Sequence, residues 1–186
     1  MIYIKYIVLT IVQFIITWVS YVLTPFVTLF ADKDANLPSW LYAFQTYDNT
    51  LDGDEGWIKE HRPFKIEDNA FKRWVNHTTW LWRNPAYGFD MFFGADCKVG
   101  DNLVLEGDRR TSDGPYHAGI HKWKLYREGK LIAFQWYYVG DFNKTHCLRV
   151  NLGWKLWQVE GVTIANLVKE DKTCQLVFTP GIKKKR

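Results

Sequence analysis

The sequence predicts an α+β protein: an N-terminal transmembrane helix followed by a small antiparallel β-meander domain with one covering helix. Three observations carry that expectation. Residues 6–30 contain no charged side chain. Residues 67–83 (EDNAFKRWVNHTTWLWR) repeat apolar side chains near a period of 3.6, and beyond residue 100 the period changes to two. The segments follow in order as an anchor (1–30), an interfacial linker with an acidic loop (31–66), an α+β domain (67–180) and a basic tail (181–186).

The first segment is 25 uncharged residues long, with Gln13 its strongly polar member. As a helix it would rise roughly 37 Å at 1.5 Å per residue, more than the ~30 Å hydrocarbon core of a bilayer. Apolar residues lie on every side of it, as a lipid-exposed span requires. A buried helix of this length would be hard to surround in a domain of this size. A cleaved signal would have a shorter apolar region, and cutting after Ala31 would put Leu29 where a small residue is wanted. Pro25 is expected to kink or end the regular helix, with Phe26 to Phe30 leaving through the interface.

Orientation rests on few charges. Lys5 and the amino terminus precede the span and Lys33 follows it, which leans toward a cytoplasmic N-terminus and a periplasmic folded part. The basic tail argues the other way, because a polybasic end is drawn to an anionic cytoplasmic leaflet. The two signals leave the side undecided.

Charge also separates classes of partner. The 186 residues carry a net charge of +4, but residues 31–182 hold 19 basic against 20 acidic side chains, so the surplus is mostly the tail at 183–186. A nucleic-acid binder spreads basic charge over a folded face, so no nucleic-acid partner is expected.

The second and third segments follow from periodicity. In residues 67–83, Phe71, Trp74, Val75, Thr78, Leu81 and Trp82 form the apolar stripe, and Asn84-Pro85 stops the helix. Its apolar side is the expected cover for the sheet. Residues 103–106, 121–127, 130–139, 147–157 and 173–179 read as strands, with Glu128-Gly129 a two-residue hairpin turn. Residues 147–157 alternate most cleanly, with Leu148, Val150, Leu152, Trp154 and Leu156 on one face. Cys97, Cys147 and Cys174 have no CxxC spacing and read as small core residues, although one pair can still bridge in an oxidising compartment.

Candidate chemistry is sparse. The loop at 48–57 (DNTLDGDEGW) resembles an EF-hand only in its first half, because Lys59 stands where a bidentate Glu is needed. Asp52, Asp54 and Glu55 make a loose divalent site at best, and a solvated turn is the favoured reading. His117 and His121 lie four apart on a loop and a strand, too far apart to chelate together. Arg109-Arg110 beside Asp108 decorates the same loop. No phosphate loop, nucleophile elbow or Cys–His motif is present in the sequence, so no catalytic residue, metal site or cofactor is assigned and the balance leans away from an enzyme. The aromatic residues Trp40, Tyr42, Phe44, Trp82 and Tyr87, with Asp52, Asp54 and Glu55, are the candidates for contact with a partner or with the headgroup region.

The runs LDGDEGW (51–57), WLWRNPAYGF (80–89), LRVNLGWKLW (148–157) and LVFTPGIKK near the end resemble an uncharacterised family of small tailed-bacteriophage proteins. Such proteins begin with a hydrophobic membrane segment and end in a β-rich region. The resemblance implies a phage protein at the host inner membrane and no reaction. The expected function is therefore a membrane-anchored accessory protein that binds a host or phage membrane protein, in superinfection exclusion, lysis control or defence evasion. The alternatives are a membrane-tethered enzyme acting on lipid, cell wall or nucleotide, and a virion component.

Overall fold

The structure, a computed structural model, describes residues 1–61 and 69–185. It is α+β, as the periodicities predict: a long apolar N-terminal helix, an antiparallel sheet and a few short helices. The helices among the described residues are α1 (Ile2–Val27), α2 (Glu55–His61), α3 (Ala70–Arg83), α4 (Tyr87–Phe92) and α5 (Trp157–Glu160), with 3-10 turns at Thr28–Phe30 and Ser39–Phe44. The strands are β1 (Ala95–Cys97), β2 (Asn102–Gly107), β3 (Ser112–Asp113), β4 (Tyr116–His117), β5 (Gly119–Arg127), β6 (Lys130–Asp141), β7 (His146–Trp154), β8 (Thr163–Ile164), β9 (Leu167–Val168), β10 (Lys172–Cys174), β11 (Leu176–Phe178) and β12 (Gly181–Lys184). By packing the chain forms two compact units, Ile11–Phe92 and Met1–Thr10 with Phe93–Arg186. The helix α1 thus gives its first ten residues to a sheet unit and the rest to a helical unit.

In the sheet unit the strands run in the order β11-β7-β6-β5-β2-β9-β8, all antiparallel, with β12 also pairing β7. The hairpin between β5 and β6 turns at Glu128 and Gly129, whose φ angles of 49° and 76° are those a two-residue primed turn requires. The alternation in β7 has the expected parity: Leu148, Val150, Leu152 and Trp154 share one face. Only Trp154 of these four is fully buried. The reason is the cover. The first turns of α1 lie over one end of this face, where Tyr3 and Tyr6 meet Phe134 at ring-centroid distances of 4.7 and 5.2 Å and Tyr6 meets Trp154 at 5.6 Å. The Tyr6 hydroxyl donates to the Val177 carbonyl at 2.9 Å, which satisfies its polar end inside the core.

The helix expected to cover the sheet belongs to the helical unit. Asn69 caps α3 by accepting from the Lys72 amide at 3.0 Å, and Asn84 before Pro85 ends the helix as predicted. Residues 67 and 68, where the expected helix began, lie outside the described residues. Trp80 and Leu81 of α3 are buried with Val27, Leu37, Leu41, Leu51 and Trp57 in the core of the helical unit. Strand periodicity marks a face that needs cover but not which helix supplies it. The basic tail also departs from expectation: Gly181–Lys184 is an edge strand, with Ile182 opposite Leu148 and Lys184 opposite His146. Lysines on an edge strand discourage pairing with another chain.

Candidate functional site

Residues 11–30 have an inverted distribution of polarity. Gln13, Thr17, Ser20, Thr24 and Thr28 recur every three or four residues and so share one side of the helix. Ser20, Thr24 and Thr28 are buried. Their side of the helix faces α3, where the Thr28 and Thr78 hydroxyls meet at 3.0 Å. The Thr24 hydroxyl donates to the Ser20 carbonyl at 2.7 Å, and that of Thr17 to the Gln13 carbonyl at 2.9 Å. The Thr17, Thr24 and Thr28 hydroxyls are thereby satisfied by carbonyls of their own segment, whereas the buried Ser20 hydroxyl has no partner among the described residues. The opposite side is exposed and wholly apolar: Ile11, Phe14, Ile15, Trp18, Val22 and Phe26 each leave more than half of their surface open. Soluble helices do the reverse. By length and composition α1 is the one helix among the described residues apolar enough to cross a membrane.

The seam between α1 and α3 runs antiparallel. Trp74 donates its indole N–H to the Pro25 carbonyl at 2.8 Å, Trp82 donates to the Tyr21 carbonyl at 2.9 Å, and Gln13 donates to the Ala86 carbonyl at 3.4 Å. α1 runs through Pro25 and ends two residues later at Val27, where the 3-10 turn Thr28–Phe30 follows. Pro25 has no N–H for the Tyr21 carbonyl, and Trp82 supplies the donor instead.

All eight residues predicted for contact fall in the helical unit, with different surroundings. Trp40 is 69% exposed and Tyr42 45% exposed, both on the turn at Ser39–Phe44. Phe44 is partly buried and meets the edge of Phe89 at 5.5 Å. Tyr87 stacks on Tyr47 at 5.7 Å, and Trp82 is 41% exposed. The acidic loop does not converge. Asp54 accepts from the Trp57 amide at 2.7 Å at the start of α2, Glu55 is exposed, and Asp52 bonds His77 at 3.0 Å. His77 is buried, and burial holds its imidazole below the ordinary value, with Asp52 opposing that shift. Sequence reasoning missed His77 because one histidine on an amphipathic helix carries no spacing signal.

In the sheet unit His117 bonds Asp108 at 2.8 Å, and Arg110 forms a bidentate pair with the same carboxylate at 3.0 Å. Those two partners, Arg110 foremost, hold the Asp108 carboxyl well below the usual carboxylate range. His121 instead stacks on Tyr137 at 5.1 Å. Tyr137 donates to Asp113 at 2.6 Å, and burial with that carboxylate pushes its hydroxyl up to about 12. These are closed pairs, and no group of three or more metal-ligating side chains occurs among the described residues.

The far end of the sheet face beneath α1 stays open. Trp136, Tyr138, Leu148, Phe178 and Ile182 share it, paired as Trp136–Leu152–Phe178 and Leu148–Ile182 across β6, β7, β11 and β12. Phe178 is 55% and Ile182 51% exposed.

A family model described as a family of unknown function, DUF7338, matches residues 1–185. No curated protein and no solved structure matches the chain. The chain belongs to the DUF7338 family.

Proposed function

We propose that this DUF7338 protein works at a membrane by binding a partner. The single observation that carries the reading is the inverted helix: residues 11–30 present apolar side chains outward and hydroxyls inward, which suits an apolar medium outside. The open sheet face bounded by Trp136, Tyr138, Phe178 and Ile182 is the surface we assign to the partner, a membrane protein of host or phage. Holding both partners at one membrane raises their effective concentration, so a modest interface suffices. Together with the resemblance to tailed-phage proteins, this supports an accessory role at the host inner membrane, in superinfection exclusion, lysis control or defence evasion.

The test uses residues whose side chains point away from the packed core. Ile15 and Val22 are exposed, so Ile15→Arg with Val22→Arg leaves the seam to α3 intact. Each arginine costs about 2.5–3.5 kcal/mol in an apolar setting. The variant is expected to leave the membrane fraction while keeping its circular dichroism, and to lose its activity in infected cells. Retention of full activity by a soluble variant would remove the membrane from the function.

A further inference from the structure

We infer that residues 11–30, the later turns of α1 and the 3-10 turn after it, lie in the plane of the membrane, sunk by their exposed face into the boundary between headgroups and acyl chains. The inference rests on the membrane reading above and specifies how the bilayer is met. Length alone allows a crossing, since 20 residues rise about 30 Å. The surroundings of the helix within its own unit do not favour one.

The seam shows why. The chain returns along α1 antiparallel, from Trp74 beside Pro25, through Trp82 beside Tyr21, to Ala86 beside Gln13. Tyr21 is midway along residues 11–30, so in a crossing helix it would sit near the bilayer centre. Arg83, the residue after Trp82, is exposed and lies over the rings of Trp57 and Trp80 at 5.6 and 5.8 Å. It would share that depth, together with the packing around α3 that buries His77 against Asp52. An arginine there costs about 2.5–3.5 kcal/mol, and the acid–imidazole pair adds to it. A helix in the plane leaves all of these groups on the water side and gives only its apolar side to lipid.

The borders of the apolar face agree. Tyr21 and Trp82 flank it along the seam, and Trp40, beside Phe30 at 5.4 Å, flanks its end. All three are exposed, and such rings sit well at the headgroup level. Charge does not supply the attraction, because residues 11–92 hold ten acidic and seven basic side chains. The occupant of the face is therefore a bilayer met through apolar contact, one of zwitterionic lipid included, at a depth of about 5–10 Å.

Depth measurement tests this on the full chain. Ile11, Ile15 and Val22 share one side of α1 and Leu29 stands on the turn just after it; all four are exposed, so a nitroxide attached to Ile11→Cys, Ile15→Cys, Val22→Cys or Leu29→Cys leaves the packing alone. The three native cysteines are fully buried, and the unsubstituted chain sets the background labelling. In phosphatidylcholine vesicles the four labels are expected at one depth to within about 5 Å, one helical pitch, with binding unchanged in 1 M salt. A profile with Val22 about 10 Å deeper than Leu29, at 1.5 Å per residue, would show a crossing helix. That overturns the in-plane inference and leaves the membrane reading standing. A protein that stays out of the vesicles, as a monomer or with these labels buried against a second copy, overturns both.

Discussion

Pro25 illustrates how one residue shapes this chain. It removes the amide hydrogen due to the Tyr21 carbonyl, and the Trp82 indole donates there at 2.9 Å in its place. Trp82→Phe keeps most of the ring and deletes the donor, so it is expected to destabilise the helical unit by about 0.5–1.5 kcal/mol, the net worth of one hydrogen bond. Trp18→Phe, on the exposed face, is expected to change little. Denaturant titration in mild detergent compares the two. His77 carries a second consequence. Its folded pKa lies below the ordinary 6.5 because burial disfavours the cation, with Asp52 acting in the opposite sense. The unfolded chain then binds more protons, so the contribution to stability is complete above pH 6.5 and is lost as pH falls toward the folded value. Melting temperature is expected to drop through that acid window, and His77→Gln to flatten the drop. A His77→Gln protein with the same acid slope would assign the effect to another group.

At the scale of elements, β7 shows what a strand pattern does and does not carry. Trp154 is fully buried and its indole donates to the Phe93 carbonyl at 3.0 Å, whereas Lys155 is half-buried and reaches the Gln175 side chain at 2.6 Å. Trp154→Asp is expected to unfold the sheet unit, by the 3–5 kcal/mol typical of removing a large core ring (about that much) and by the burial of a charge. Lys155→Asp is expected to be mild by the same thermal melt. Gly153 is a further constraint: its φ is 108°, and a Cβ there would collide with the Phe134 carbonyl oxygen on β6. Parity in β7 was legible because side chains alternate strictly along a strand. Burial was not, because it depends on how far α1 reaches over Leu148, Val150 and Leu152.

For the molecule as a whole, the first ten residues are part of the sheet unit. Tyr6 is buried among Phe134, Trp154 and the Val177 carbonyl. Deleting residues 1–10 is expected to unfold the sheet unit, seen as loss of near-ultraviolet dichroism and rapid proteolysis. A deletion that leaves that unit resistant to protease would mean that α1 only rests on the sheet. The thiols report on the same packing. Cys97 and Cys174 approach to 3.6 Å and both are buried; the hydrogen bond with Cys97, then burial, pushes the Cys174 thiol up. Thiol reagents are expected to react slowly with the native chain and quickly once denaturant exposes all three cysteines.

The amino-acid sequence by itself determined the apolar N-terminal helix, the helix ending before Pro85, the turn at Glu128-Gly129 and the faces of the strands. Each follows from short-range rules of hydropathy, capping and backbone freedom that act within a few residues. The stripe Gln13, Thr17, Ser20, Thr24, Thr28 was present in the sequence too, but an average over the segment conceals it, since hydroxyls bonded to their own helix weigh little against so many apolar neighbours. Only the tertiary structure decided that α3 closes on that stripe, that α1 supplies the cover for the sheet, that Asp52 meets His77, and that Lys183 and Lys184 belong to a strand. Those outcomes depend on contacts between residues tens of positions apart, whose free energy comes from surfaces meeting in space and leaves no period along the chain.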